Sequence, residues 1–303
     1  MSHTWTIARR ETSSFFFSPI AYLVTAAFVL LAGFLFVSLT FQPDRAAEMR
    51  GMFEALVWVL MAVSPAVSMR LIAEELRSGT IETIATAPVS DAALVVGKWL
   101  GALAFFGAML APTLAFVAIL EVFADPDYGP IVSGYVGLIL VGGLFLAIGV
   151  FTSVLTRNQI VAFVLSLFVI LVLTLVTWMA PGLTGPEGAG VMPEAWPGRL
   201  LVLGIMLAAC IVAGGIAGLA AGDWAAAATI ALAGAFGMTA VWAALIAISG
   251  PWVGDVMYFL NVNRQYEDFA KGLIDLSNVT FFAGGIALFL VLATKALESR
   301  KWR

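Results

Sequence analysis

Histidine and cysteine are nearly missing from this chain of 303 residues, which carries one of each, His3 and Cys210. With His3 at the amino terminus there is no H-E-x-x-H zinc helix, and no Ser/His or Cys/His dyad can form within the apolar body. A lone cysteine permits neither an internal disulfide nor a thiolate metal cluster, so no metal site is expected and Cys210 reads as a small packing residue. A phosphate loop is missing too: Gly97-Lys98 lacks the upstream glycine and is followed by Trp99. Charge is scarce, at 11% of residues against 62% hydrophobic, and no soluble domain of this length needs so much apolar surface.

The sparse charges are also clustered. They leave eight charge-free or nearly charge-free windows: Thr12–Pro43, Ala55–Met69, Trp99–Leu120, Tyr128–Thr156, Asn158–Pro186, Leu200–Gly222, Trp224–Gly254 and Leu276–Thr294. About 20 helical residues cross ~30 Å of hydrocarbon, so these predict an all-α, polytopic integral membrane protein. We read a single domain over residues 1–303 with eight spans, six plus an added pair at 199–249. The short second window extends through Leu71–Ile72 if Arg70 snorkels. The first run is too long for the apolar core of a removable signal peptide. No carboxylate pair lies in the middle of two spans, which excludes an intramembrane aspartyl protease. Ionisable residues such as Glu54, Glu121 and Asp223 fall near span ends, which counts against an ion-coupled secondary transporter.

Placing the amino terminus in the cytoplasm puts ten of the fifteen basic residues inside, including Arg9, Arg10, Arg70, Arg77, Lys98, Arg157 and the Lys295–Arg303 tail. This is the sense of the positive-inside rule, and an even span count returns the carboxyl terminus to the same side. A bacterial inner membrane is the expected location, with no nucleic acid as partner. The Gly- and Pro-rich stretch at 181–198 then becomes an external loop.

The segment from Arg70 to Lys98 is the most charged insert between two membrane-length runs. Ser78-Gly79 interrupts the helix leaving the membrane, and Pro88 disfavours helix at Ala87. Ser90 suits an N-cap, with Asp91 complementing the helix dipole. The pattern is helix, break, short helix, break, membrane helix, which fits either a docking element or a solvated connection. At the amino terminus, Trp5, Ala8, Thr12 and Phe15–Phe16 share one helical face away from Arg9 and Arg10, an interfacial helix over residues 1–19 ended by Ser18-Pro19. A third amphipathic piece lies at 256–275, where Tyr266, Phe269, Ala270 and Leu273 repeat at helical spacing. It reads as an external gate over the translocation path or as an interfacial anchor. Gly97 and Gly101, and Gly214, Gly218 and Gly222, form G-x-x-x-G frames that let helices approach closely, though a chain rich in Ala and Gly makes such frames readily.

These motifs together resemble a family. Met69-Arg70-Leu-Ile-Ala-Glu74-Glu75-Leu-Arg77-Ser-Gly79-Thr-Ile-Glu82, then Ala-Pro88-Val-Ser90-Asp91 and Gly97-Lys98-Trp99, resembles permease subunits of type-2 ABC exporters. Ala8-Arg9-Arg10-Glu11 with Ser18-Pro19-Ile20-Ala21-Tyr22, Phe269-Ala-Lys271-Gly272 and Leu297-Glu298-Ser-Arg300 are similar to the gliding-motility permease branch. The resemblance covers Met1–Ala180 and Asn261–Arg303. It implies a non-catalytic transport subunit whose coupling segment, Glu74, Glu75, Arg77, Gly79, Thr80, Ile81, Glu82, Ile84 and Pro88, is received by a cytoplasmic ABC ATPase. It also implies an elbow helix bearing Trp5, Arg9, Arg10 and Phe16, and a pairing with a second permease copy or a related membrane subunit. ATP and Mg would be bound by the partner ATPase and no cofactor by this chain. The added pair at 199–249 departs from the usual six spans. The rival readings are a membrane scaffold and, third, a secondary transporter.

Reporter fusions after Arg303 are expected to signal cytoplasm and fusions within 185–194 the outside. A carboxyl terminus on the outer side would overturn this orientation.

Overall fold

A computed structural model of the chain describes residues 2–41, 47–80, 89–124, 126–175 and 259–300. All regular structure among them is helical. The helices are α1 (Ser2–Phe16), α2 (Pro19–Thr40), α3 (Arg50–Ser68), α4 (Ala73–Ser78), α5 (Asp91–Leu110), α6 (Leu114–Phe123), α7 (Tyr128–Leu155), α8 (Gln159–Leu175), α9 (Val262–Ala270) and α10 (Leu276–Arg300). Five stretches among the described residues are long and apolar enough to cross a bilayer: Ala21–Thr40, Arg50–Ser78, Asp91–Phe123, Tyr128–Leu155 and Leu276–Arg300. The added pair expected at 199–249 and the external loop at 181–198 lie outside the described residues.

Two compact units divide the chain, residues 1–166 with 265–303, and residues 167–264. Of the second, the structure describes the end of α8 and the start of α9. The first is built around α7, which is enclosed over most of its length. Hydrophobicity does not hold helices together in lipid, so close backbone approach and interhelical hydrogen bonds must. The glycines of α7 provide that approach at successive levels. Gly134 takes the Phe53 ring of α3, Gly142 the Phe106 ring of α5, and Gly149 the Ser68 side chain of α3. Gly137 receives Tyr266 and Phe269 of α9, and Gly143 faces Ile286 of α10. Polar pins secure two of these crossings: the Trp99 indole donates to the Gly143 carbonyl at 2.9 Å, and Tyr266 donates to the Gly134 carbonyl at 3.3 Å.

Two spans depart from the expected bounds. The second was expected over Ala55–Ile72, but its helix runs from Arg50 to Ser68. The added residues stay helical because Arg50 and Glu54, one turn apart, pair at 2.8 Å at the span end. The third span is broken at Ala111–Thr113, a 3₁₀ turn at Pro112, because proline lacks the backbone donor that an α-helix needs there. The junction between α1 and α2 falls at Ser18-Pro19, where Ser18 is extended and Pro19 opens the new helix.

Gly149→Ala is expected to destabilise the protein by about 2 kcal/mol or more, since the methyl would overlap the Ser68 hydroxyl. Gly107→Ala, where a methyl meets nothing within 4 Å, should be neutral or slightly stabilising. Thermal unfolding of both variants in detergent tests the contrast; equal midpoints would show that close packing at Gly149 does not matter.

Candidate coupling site

The segment between α3 and α5 is where charge, helix breaks and exposure concentrate. Its first break is made by α7 rather than by the segment's own residues. At Met69–Ile72 the chain leaves α3 and must turn before α4, which strands backbone donors. The Ser153 hydroxyl accepts from the amides of Ile72 and Ala73 at 3.0 and 2.8 Å and donates to the Met69 carbonyl at 3.1 Å. A single α7 side chain thus closes the turn, and it is fully buried. The second break is Gly79, in the left-handed region at φ 74°, where a side chain would be strained. After it, Ile81, Glu82, Ile84 and Pro88 lie outside the described residues. At the start of α5, the Ser90 hydroxyl accepts from the Ala93 amide at 3.2 Å and caps the helix.

Beneath this segment lies a buried ion cluster. Lys98 of α5 is 1% exposed, and its ammonium contacts Glu75 of α4 at 2.9 Å and Glu11 of α1 at 3.2 Å. Arg10 approaches Glu75 from the solvent side at 3.8 Å. Three elements distant in sequence are therefore tied through one ammonium group. A buried lysine needs such partners, because an uncompensated charge there is expensive. The glycines flanking Lys98 bring the elements together: Gly97 meets Ile7 and the Thr4 carbonyl of α1, and Gly101 meets Glu11 and the Ala8 carbonyl. Further along, Phe15 stacks on Phe105 at 4.7 Å between centroids. The Arg70 guanidinium lies 4.6 Å over the other side of Phe15 and donates to the Ser18 hydroxyl at 2.9 Å.

The placement of the expected site residues is mixed. Glu75 is drawn into the cluster, while its neighbours Glu74, Arg77 and Thr80 remain exposed. On α1 the packed side holds Ala8, Thr12 and Phe15 of the expected face, joined by Ile7 and Glu11, while Trp5 and Phe16 turn outward. Trp5 is 70% and Phe16 43% exposed, and the Arg9 and Arg10 side chains are exposed too. The buried face tolerates Glu11 only because Lys98 opposes it. Lys98, Glu11, Ser153 and Arg70 escaped the sequence reading as functional positions. The available signal was a lysine next to Gly97 and three residues before Gly101 at a span start, with carboxylates on two other charged segments near span ends.

The other end of the bundle shows a different arrangement. Tyr266 and Phe269 are buried against α7, Ser133 donates to the Phe269 carbonyl at 2.7 Å, and Leu273 is 61% exposed beyond the Gly272 turn. Burial, then the charge of Glu54 and the neighbouring Tyr135, hold the Tyr266 phenol well above its ordinary value, so it remains a donor. Gly214, Gly218 and Gly222 lie outside the described residues. No group of metal-ligating residues occurs among the described ones.

Residues 10–177 match the family described as ABC-2 family transporter protein. The match covers over half the chain and includes the whole Lys98 cluster and the segment above it. No curated protein matches the chain.

Lys98→Met is expected to lower stability by about 3 kcal/mol by stranding two partly buried carboxylates. Adding Glu11→Gln and Glu75→Gln should recover most of that loss. Thermal unfolding in detergent reads both effects, and a Lys98→Met protein as stable as the parent would show the cluster to be dispensable.

Proposed function

The chain belongs to the ABC-2 family of transporter proteins, and on that premise we propose that its Arg70–Lys98 segment couples a separate cytoplasmic ATPase to movement of the membrane spans. ATP and Mg reside on that partner, and this chain supplies no catalytic residue. The observation carrying the reading is the Lys98 cluster, because it sits immediately beneath the exposed segment and joins it to two other elements. A push on residues 79–87 is delivered through Glu75 to α5 and α1, and through Ser153 to α7. Packed helices with paired charges transmit displacement; a solvated loop would absorb it.

In this reading α1 is the elbow helix, both termini are cytoplasmic, and the location is a bacterial inner membrane. Two permease chains, identical or related, form one path, and α9 covers its outer end. The order of motifs at the two termini favours the gliding-motility permease-like branch. The largely charge-free spans suit an amphipathic cargo or an envelope component rather than a small ion.

Docking into an ATPase cleft predicts an apolar plug within a charged rim. Ile81→Asp should abolish co-purification of the nucleotide-binding partner, because it forces an unpaired charge into a desolvated contact. Glu82→Ala should weaken recovery mildly and make it less sensitive to salt. Membrane levels of both variants should match the parent. Full ATPase recovery with Ile81→Asp would remove the coupling role and favour a scaffold.

A further inference from the structure

The face opposite the coupling segment carries a feature that the coupling reading does not use. Below Glu121 and Tyr128, α6 and α7 diverge around a groove of about 610 Å³. Leu114, Val117, Ala118, Ile131, Val132 and Val136 line it. Leu114 and Val132 are 55% and 59% exposed, so the groove opens sideways along the hairpin rather than into the bundle. Its inner end is closed by Tyr135, whose hydroxyl is hydrogen-bonded to that of Thr113 at 3.0 Å. The 3₁₀ turn at Ala111–Thr113 lies at this inner end, between α5 and α6.

Position along the span fixes the depth. Lys98 marks one membrane boundary, and Glu121 lies 23 residues further on, about 35 Å at helical rise, close to the thickness of the hydrocarbon. Glu121 therefore stands at head-group level in the far leaflet, with the apolar groove directly beneath it. The Tyr128 hydroxyl donates to the Glu121 carboxylate and holds it at the mouth. Asp127, whose carboxylate caps α7, adds a second negative charge there. Among the described residues, Glu121 is the one charged residue lining the groove, and the nearby Arg50 and Lys271 are engaged elsewhere, Arg50 with Glu54 and Glu267 and Lys271 with Glu267. The mouth therefore favours an ammonium over an anionic head.

We propose that the α6–α7 groove is a lateral lipid site, taking one acyl chain against its apolar walls while Glu121 and Tyr128 bind the ammonium of a phosphatidylethanolamine head. An apolar groove facing the bilayer is filled by a chain at little cost, so the acidic mouth sets the selectivity. Phosphatidylglycerol shares the chains but lacks the cation.

The test uses the intact protein, equilibrated with equal amounts of phosphatidylethanolamine and phosphatidylglycerol, with retained lipids counted by native mass spectrometry. About a fivefold preference for phosphatidylethanolamine is expected, the effect of one interfacial charge pair. Glu121→Gln should abolish the preference without lowering total lipid. Ala118→Trp, at an exposed position on the groove wall, should displace lipid of both kinds while leaving the thermal midpoint unchanged. Equal retention of the two lipids by the parent, or an undiminished preference in Glu121→Gln, would overturn the proposal. Efficient disulfide cross-linking between two copies of an Ala118→Cys variant in a Cys210→Ser background would overturn it too, by assigning the groove to self-association.

Discussion

A single buried ammonium group holds together the end of the bundle where α1, α4 and α5 meet. Lys98 lies at the start of a membrane span, where neither water nor lipid can compensate its charge, so protein carboxylates must. One comes from α1 and one from α4. α1 also stacks Phe15 on Phe105, and α4, six residues long and too short to be stable alone, is also held by Ser153. Lys98 is the contact that the two elements share. The glycines on either side of that lysine are the steric condition for the arrangement, since a methyl at either would separate α1 from α5.

The same design recurs along α7 with neutral groups. Small residues bring a neighbour close, and one polar contact then pins the register: Ser153 at the turn into α4, Trp99 against Gly143, Tyr266 against Gly134. In lipid these contacts do the work that hydrophobic burial does in water. The two ends of the bundle are thereby linked by one nearly continuous buried helix, which gives displacement at one end a mechanical route to the other.

Much of this was legible from local signals. The Ser18-Pro19 junction, the Gly79 break, the Ser90 cap and the Tyr266–Phe269–Ala270 face each follow from a few adjacent residues, because turn chemistry and helical periodicity are local. The Lys98 cluster was not legible, since it depends on three segments separated by up to 87 residues. The face of α1 was legible in part: Ala8, Thr12 and Phe15 lie on the packed side, but Glu11 joins them there only because Lys98 opposes its charge. Glu74 and Glu75 are adjacent and chemically alike, and only the three-dimensional arrangement separates the exposed one from the paired one. Residues 199–249 combine high apolarity with few polar landmarks, so composition alone leaves their path undefined.

The break at Pro112 has a bearing on the bilayer itself. Asp91 to Phe123 is 33 residues, of which the part from Lys98 to Glu121 matches the hydrocarbon at about 35 Å. The 3₁₀ turn at Ala111–Thr113 interrupts the α-helical hydrogen-bond ladder within that part. Such an interruption bends more readily than unbroken α-helix, so a change of bilayer thickness would be taken up there first and would spare the ion cluster at the other end.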